Sequence, residues 1–224
     1  MLWKFLWLHL TSACDHNNRQ FSERGVFLAK EILPLIIIFM KKSNIPNINI
    51  QSSYLLEDRF ELPKIKEEKI KEYQKEWKKY EKNTLSAIQN ITGLIFDHNI
   101  IDVYVVNPFK FGAISKPIIV GGGMSPDRFV CVLTHELIHR IMEDNIQGAH
   151  WHKKIKRMYS TETNMVSYHV AVHAILEGVL IKINNQDMLI QDIRISNKHA
   201  DYKRAWEIVK KAGHQNIINR LRSF

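Results

Sequence analysis

Thr134-His135-Glu136-Leu137-Ile138-His139 is the stretch on which the reading of this chain turns. Just ahead of it stand Ser125-Pro126-Asp127: a side chain able to cap a helix, a proline suited to the first helical position and an acid in the first turn. A helix is therefore predicted to begin there. Phe129, Val130, Leu133, Leu137 and Ile141 recur at helical spacing and define its core face. His135 and His139 lie to one side of that face, one turn above each other, with Glu136 beside them.

Two imidazoles so placed can reach one zinc ion while the Glu136 carboxylate stays free. Zinc lowers the pKa of bound water and polarises a carbonyl, and a neighbouring carboxylate takes the proton as water attacks. His135 and His139 are thus the expected ligands, Glu136 the expected base, and hydrolysis the expected chemistry.

A second constellation follows downstream. Over residues 165–181 nearly every other residue is apolar, and a helix apolar most of the way round is normally buried. His169, His173 and Glu177 interrupt it at four-residue steps and share a face that drifts about 40° per step. A buried imidazole or carboxylate without a partner costs about 1–3 kcal/mol, so the line points to a metal or a closed hydrogen-bond network. On spacing alone His169, His173 and Glu177 all stay open as a third ligand.

Over residues 102–181 these two helices resemble the zincin metallopeptidases, in the gluzincin-like arrangement whose third ligand sits on a separate downstream helix. The resemblance implies an α+β fold: a small mixed sheet, an edge strand packed on the motif helix, and a second ligand-bearing helix. It implies a peptide or protein substrate and one zinc ion per chain held by His135 and His139, with Glu136 as base. The departure is the third ligand, a glutamate in that group with an acid four residues later. Here His173 with Glu177 fits the spacing, which makes His173 the implied ligand and Glu177 the carboxylate orienting a bound imidazole. Glu177 as direct ligand, with His173 or His169 as a transition-state donor, is the other arrangement. His169 or Tyr168 would stabilise the developing oxyanion. The metzincin pattern fails, because Met142 and Asn145 stand where its glycine and third histidine belong.

Upstream, residues 101–106 are β-rich, and Lys116-Pro117-Ile118-Ile119-Val120 reads as a second short strand ended by Gly121-Gly122-Gly123. By the resemblance Ile118, Ile119 and Val120 form the sheet edge along which an extended peptide would pair. Between the two helices, residues 144–163 read as a polar surface loop anchored by Trp151. Such a loop passes near the site, so His150, His152 and Tyr159 are candidate substrate contacts.

With 224 residues and 45% hydrophobic content, the chain can bury a substantial core. It is divided here into an N-terminal region over 1–100, a catalytic core over 101–185 and a helical extension over 186–224. The first part has a β-α-β look, with strands over 1–10 and 45–50 and a helix over 22–42. A long helix over 64–96 follows, its apolar stripe marked by Ile70, Tyr73, Trp77, Tyr80 and Ile88. The apolar run from Ile32 to Met40 is too short to cross a membrane that needs about 20 residues, so no membrane span is expected. Residues 11–14 could pass for a crude lipoprotein cleavage box, but Lys4 and His9 interrupt the apolar stretch before it. Cys14 and Cys131 are too isolated for a disulfide framework, which suggests a reducing cytoplasm.

A net charge of +9 brings in the rival class, a nucleic-acid-associated protein. Lys198, Lys203, Arg204, Lys210, Lys211, Arg220 and Arg222 crowd the C-terminal region, although Asp201 and Glu207 interrupt them. The variants of this reading are a DNA-linked metallopeptidase and a non-catalytic binder with a structural or relic metal site. A structural zinc site is normally closed by four ligands, often cysteines, which this chain does not offer.

Overall fold

Tyr73 shows how one side chain ties the framework together. Its hydroxyl lies 2.7 Å from the Gly122 carbonyl oxygen and 2.8 Å from that of Met124, and its ring stacks on Phe129 with centroids 4.1 Å apart. A residue of the long helix thereby pins both the glycine turn and the start of the motif helix. This is a computed structural model, and it describes residues 45–59, 61–107 and 112–223. The strand expected over 1–10, the helix over 22–42 and Cys14 lie outside those residues. By its contacts the chain divides into Met1–Lys42 and Ser43–Phe224, and the elements below all belong to the second unit.

Along the chain run β1 (Asn47–Ser52), α1 (Tyr54–Arg59), α2 (Glu67–Thr92), β2 (Ile100–Val106), β3 (Ala113–Ser115), β4 (Ile118–Gly121) and α3 (Pro126–Glu143). Then come α4 (Ile146–Met158), α5 (Asn164–Lys182), α6 (Gln186–Ser196), α7 (Ala200–Ala212) and α8 (His214–Arg222). The architecture is α+β, with eight helices and a four-stranded mixed sheet among the described residues. In the sheet the order is β1-β2-β4-β3: β1, β2 and β4 are parallel, and β3 is antiparallel to β4. A long crossover is what two parallel strands require, and α2 supplies it between β1 and β2.

Of the stripe predicted for α2, Ile70, Tyr73, Trp77 and Ile88 are buried and Tyr80 is half-buried against the core. Its Lys/Glu-rich face is laced with ion pairs such as Lys71–Glu67 at 2.8 Å. One hydrophobic core takes in β1, α2, the sheet, α3, α5, α7 and α8, so the described residues on either side of 101–185 share the core of the motif helix. At its centre lies α5. This helix is long and apolar enough to cross a membrane, yet 67% of its most apolar window is buried inside the protein.

Two expectations are corrected here. The strand of Ile118, Ile119 and Val120 is not the sheet edge: β4 lies between β2 and β3, and all four of its residues are buried. The edge beside the motif helix is β3, whose Ala-Ile-Ser sequence is too short to show strand alternation. Residues 144–163 are not a loop, since α4 occupies most of them and buries Trp151 and Ile155, four residues apart, against the core.

Close approach of α4 to the end of α3 depends on Gly148. A Cβ built there would stand 1.9 Å from the Met142 carbonyl oxygen, so only glycine fits. Gly148→Ala is expected to destabilise the fold by about 2 kcal/mol or more, because backbone rather than a mobile side chain must give way. The midpoint of urea unfolding measures it, and an unshifted midpoint would mean the two helices part at no cost.

Candidate metal centre

Helix α3 is fixed before it reaches the site. Ser125 caps it, its Oγ accepting from the Arg128 amide at 3.4 Å, and Pro126 occupies the first turn. Arg128 then binds Asp192 of α6 at 2.5 Å, a buried carboxylate that also accepts from Ser196. Phe129, Leu133, Leu137 and Ile141 face the core with no exposure, which sets the rotation of the helix.

That rotation brings His135 and His139 together with His169 of α5, and the candidate ligand atoms of the three lie within 4.8 Å of one another. The Nε2 atoms of His135 and His139 are 3.0 Å apart. His169 places its Nδ1 2.9 Å from the Met165 carbonyl oxygen. A carbonyl can only accept, so Nδ1 carries the proton and the Nε2 lone pair is left for the cluster.

Burial lowers all three imidazoles: His135 well below the usual range, His139 to about 3, and His169 in the same direction. Neighbouring imidazoles add to the effect at His135 and His139. All three are therefore neutral near pH 7, the form in which an imidazole nitrogen donates to a metal. Three neutral histidines so gathered could hold a metal ion.

Glu136 sits beside them, 7% exposed, and its carboxylate accepts from the Ser115 hydroxyl at 2.8 Å. Burial pushes this carboxyl up to about 7, with the Ser115 hydrogen bond pulling the other way. The partner comes from β3, so the true sheet edge meets the carboxylate directly.

The remaining predicted site residues fall in different places. His173 lies one turn further along α5, wholly buried, outside the three-histidine group. Its ring stacks on Trp206 at 4.4 Å and 12°, and neither ring nitrogen meets a hydrogen-bond partner among the described residues. Burial keeps it neutral. Glu177 is turned towards α8, where its carboxylate lies 3.7 Å from Nδ1 of His214. Tyr168 packs 4.8 Å from the His139 ring and 4.2 Å from that of His152, and its hydroxyl donates to Glu143 at 3.2 Å. His150 is exposed on α4 and lines a separate cavity.

Sequence reasoning missed Ser115, Tyr202 and the role of Trp206. Tyr202 lies 4.4 Å from the His169 ring and 6.4 Å from that of His135. The signal was present: Tyr202 and Trp206 are four apart, as are His169 and His173, and the helices pair them ring against ring.

Comparison with known protein families, curated proteins and solved structures gives no match. The case for the site rests on its own residues.

Proposed function

We propose that this protein is a zinc-dependent hydrolase, most simply a peptidase, with His135, His139 and His169 as the metal ligands. The single observation that carries the reading is three neutral imidazoles around a common point, His139 and His169 buried and His135 half-buried, with the Glu136 carboxylate next to them. The donor set fits zinc, which takes histidine nitrogens readily and, with three protein ligands, keeps a position open for water or substrate. Bound there, zinc would supply Lewis acidity and lower the pKa of a coordinated water.

The protein's own groups do the rest. Glu136, ionising near neutral pH, takes the proton from the attacking water and can return it to the leaving group. Ser115 holds the carboxylate in place through the 2.8 Å hydrogen bond. Its position on β3 puts the base next to a sheet edge, and an exposed edge favours an extended peptide as substrate. Expected as a site donor, the Tyr168 hydroxyl is engaged with Glu143, so Tyr202 is the better-placed phenol beside His169. Cytoplasmic residence, suggested by two isolated cysteines, belongs to the same proposal.

The test is digestion of a mixed peptide library by zinc-loaded protein, read by mass spectrometry. Cleavage should appear with zinc, vanish when a chelator strips it, and return on adding zinc back. Cleavage indifferent to the chelator, or none from fully loaded protein, would overturn the peptidase reading.

A further inference from the structure

The outer face of α4 is basic and the helix contains no acidic residue. His150, Lys153, Lys154 and Arg157 follow at three- and four-residue spacing, so they share that face while Trp151 and Ile155 are buried. Across from them end two other helices, α2 at Thr92 and Gly93 and α8 at Leu221 and Arg222. Together they line a half-open cavity of about 670 Å³. Among the described residues four permanent cations line it and no carboxylate does. None of the residues of the metal centre is among its walls.

Two of the cations have structural work. Arg222 donates to the Ile91 carbonyl oxygen at 3.2 Å, its guanidinium lying over Gly93, where φ is +71 and a Cβ would stand 3.4 Å away. Lys154 donates to the Ser223 carbonyl oxygen and hydroxyl. These contacts neutralise the negative ends of α2 and α8. Lys153 and Arg157 make no ion pair or hydrogen bond among the described residues, although they stand four apart on one helix, where like charges repel. Arg157 suits the last turn of α4, but Lys153 gains nothing comparable. Elsewhere some cations are paired, as in Lys71 with Glu67 or Arg204 with Glu162 at 2.6 Å, and others such as Lys75 and Lys82 stand singly on an exposed helix face. Here it concentrates them around a space in the size range of small-molecule sites.

We propose that this cavity binds a phosphate-bearing ligand, with Lys153 and Arg157 as its principal contacts. Several cations around one half-open cavity match the charge of linked phosphates better than the single charge of a carboxylate, and guanidinium is suited to bidentate phosphate contact. The chemistry is shared by a free nucleoside polyphosphate and a single nucleic-acid strand entering the cleft. The proposal is independent of the peptidase reading.

The test is calorimetric titration with inorganic pyrophosphate at low salt. Four proteins of matched thermal stability are compared: wild type, the Lys153→Gln/Arg157→Gln double variant, a Lys75→Gln/Lys82→Gln control on the exposed face of α2, and His139→Ala. Wild type, control and His139→Ala should bind alike, with the double variant weaker by at least about tenfold. Equal weakening in the control would reduce the effect to general charge, and loss in His139→Ala would move the anion to the metal centre. Either result, or no binding by wild type, would overturn the site. Competition with ATP and with a short oligothymidylate then names the source, the tighter competitor being the natural form.

Discussion

Glu136→Gln should leave the protein folded and metal-loaded but cut turnover roughly a thousandfold or more. Glutamine keeps the shape of the side chain, and its amide oxygen can still accept from the Ser115 hydroxyl that now holds the carboxylate at 2.8 Å. It cannot take a proton. A positioned general base contributes about 10²–10⁴ in rate, so a thousandfold loss corresponds to about 4 kcal/mol of transition-state stabilisation. Glu136 is not one of the three clustered imidazoles, so metal content should not change. Measured together, turnover on a cleaved library peptide and metal per chain decide the matter. Undiminished turnover in fully loaded Glu136→Gln would remove Glu136 from the mechanism, and lost metal would make it a ligand.

The motif helix was legible because everything needed to place it is local: the Ser125 cap, Pro126, and the Phe129 to Ile141 core stripe lie within one run of sequence. The burial of α5 was legible for the same reason, since a helix apolar on all sides has nowhere else to go. The sheet was less so. Ala113 to Ser115 is too short for a pattern, and its hairpin with β4 is what makes Ile118 to Val120 interior. The face of α4 that carries His150 was hidden because a polar sequence containing Gly148 reads as loop until a neighbouring helix end requires that glycine.

Which histidine of α5 joins the first two could not be read from spacing. His169, His173 and Glu177 share one drifting face, and four-residue periodicity treats them alike. The choice is made by long-range packing. Tyr202 and Trp206 of α7 press on His169 and His173 respectively, each at 4.4 Å. Both rings lie near that of His135, at 5.5 and 5.7 Å, but only His169 also packs on His139, at 5.2 Å, and brings a ligand nitrogen into the group.

That assignment gives the second large effect. Wild type should bind about one zinc per chain, and His169→Ala should weaken it by more than about a hundredfold, since removing a ligand costs more than the 10–100-fold typical of losing a ligand's supporting partner. His173→Phe should keep its zinc. The new ring preserves the stack on Trp206 and removes two buried nitrogens that have no partner, and exchanging such a group for an apolar one of similar shape is neutral or stabilising. Its thermal midpoint should therefore be at or above that of wild type. Metal analysis of the two variants beside wild type reads both effects at once. Zinc kept in His169→Ala and lost in His173→Phe would return the third ligand to His173, the position that the zincin spacing implies. Zinc lost in both would require a site deeper in the core, drawing on both rings, with no position left open for water.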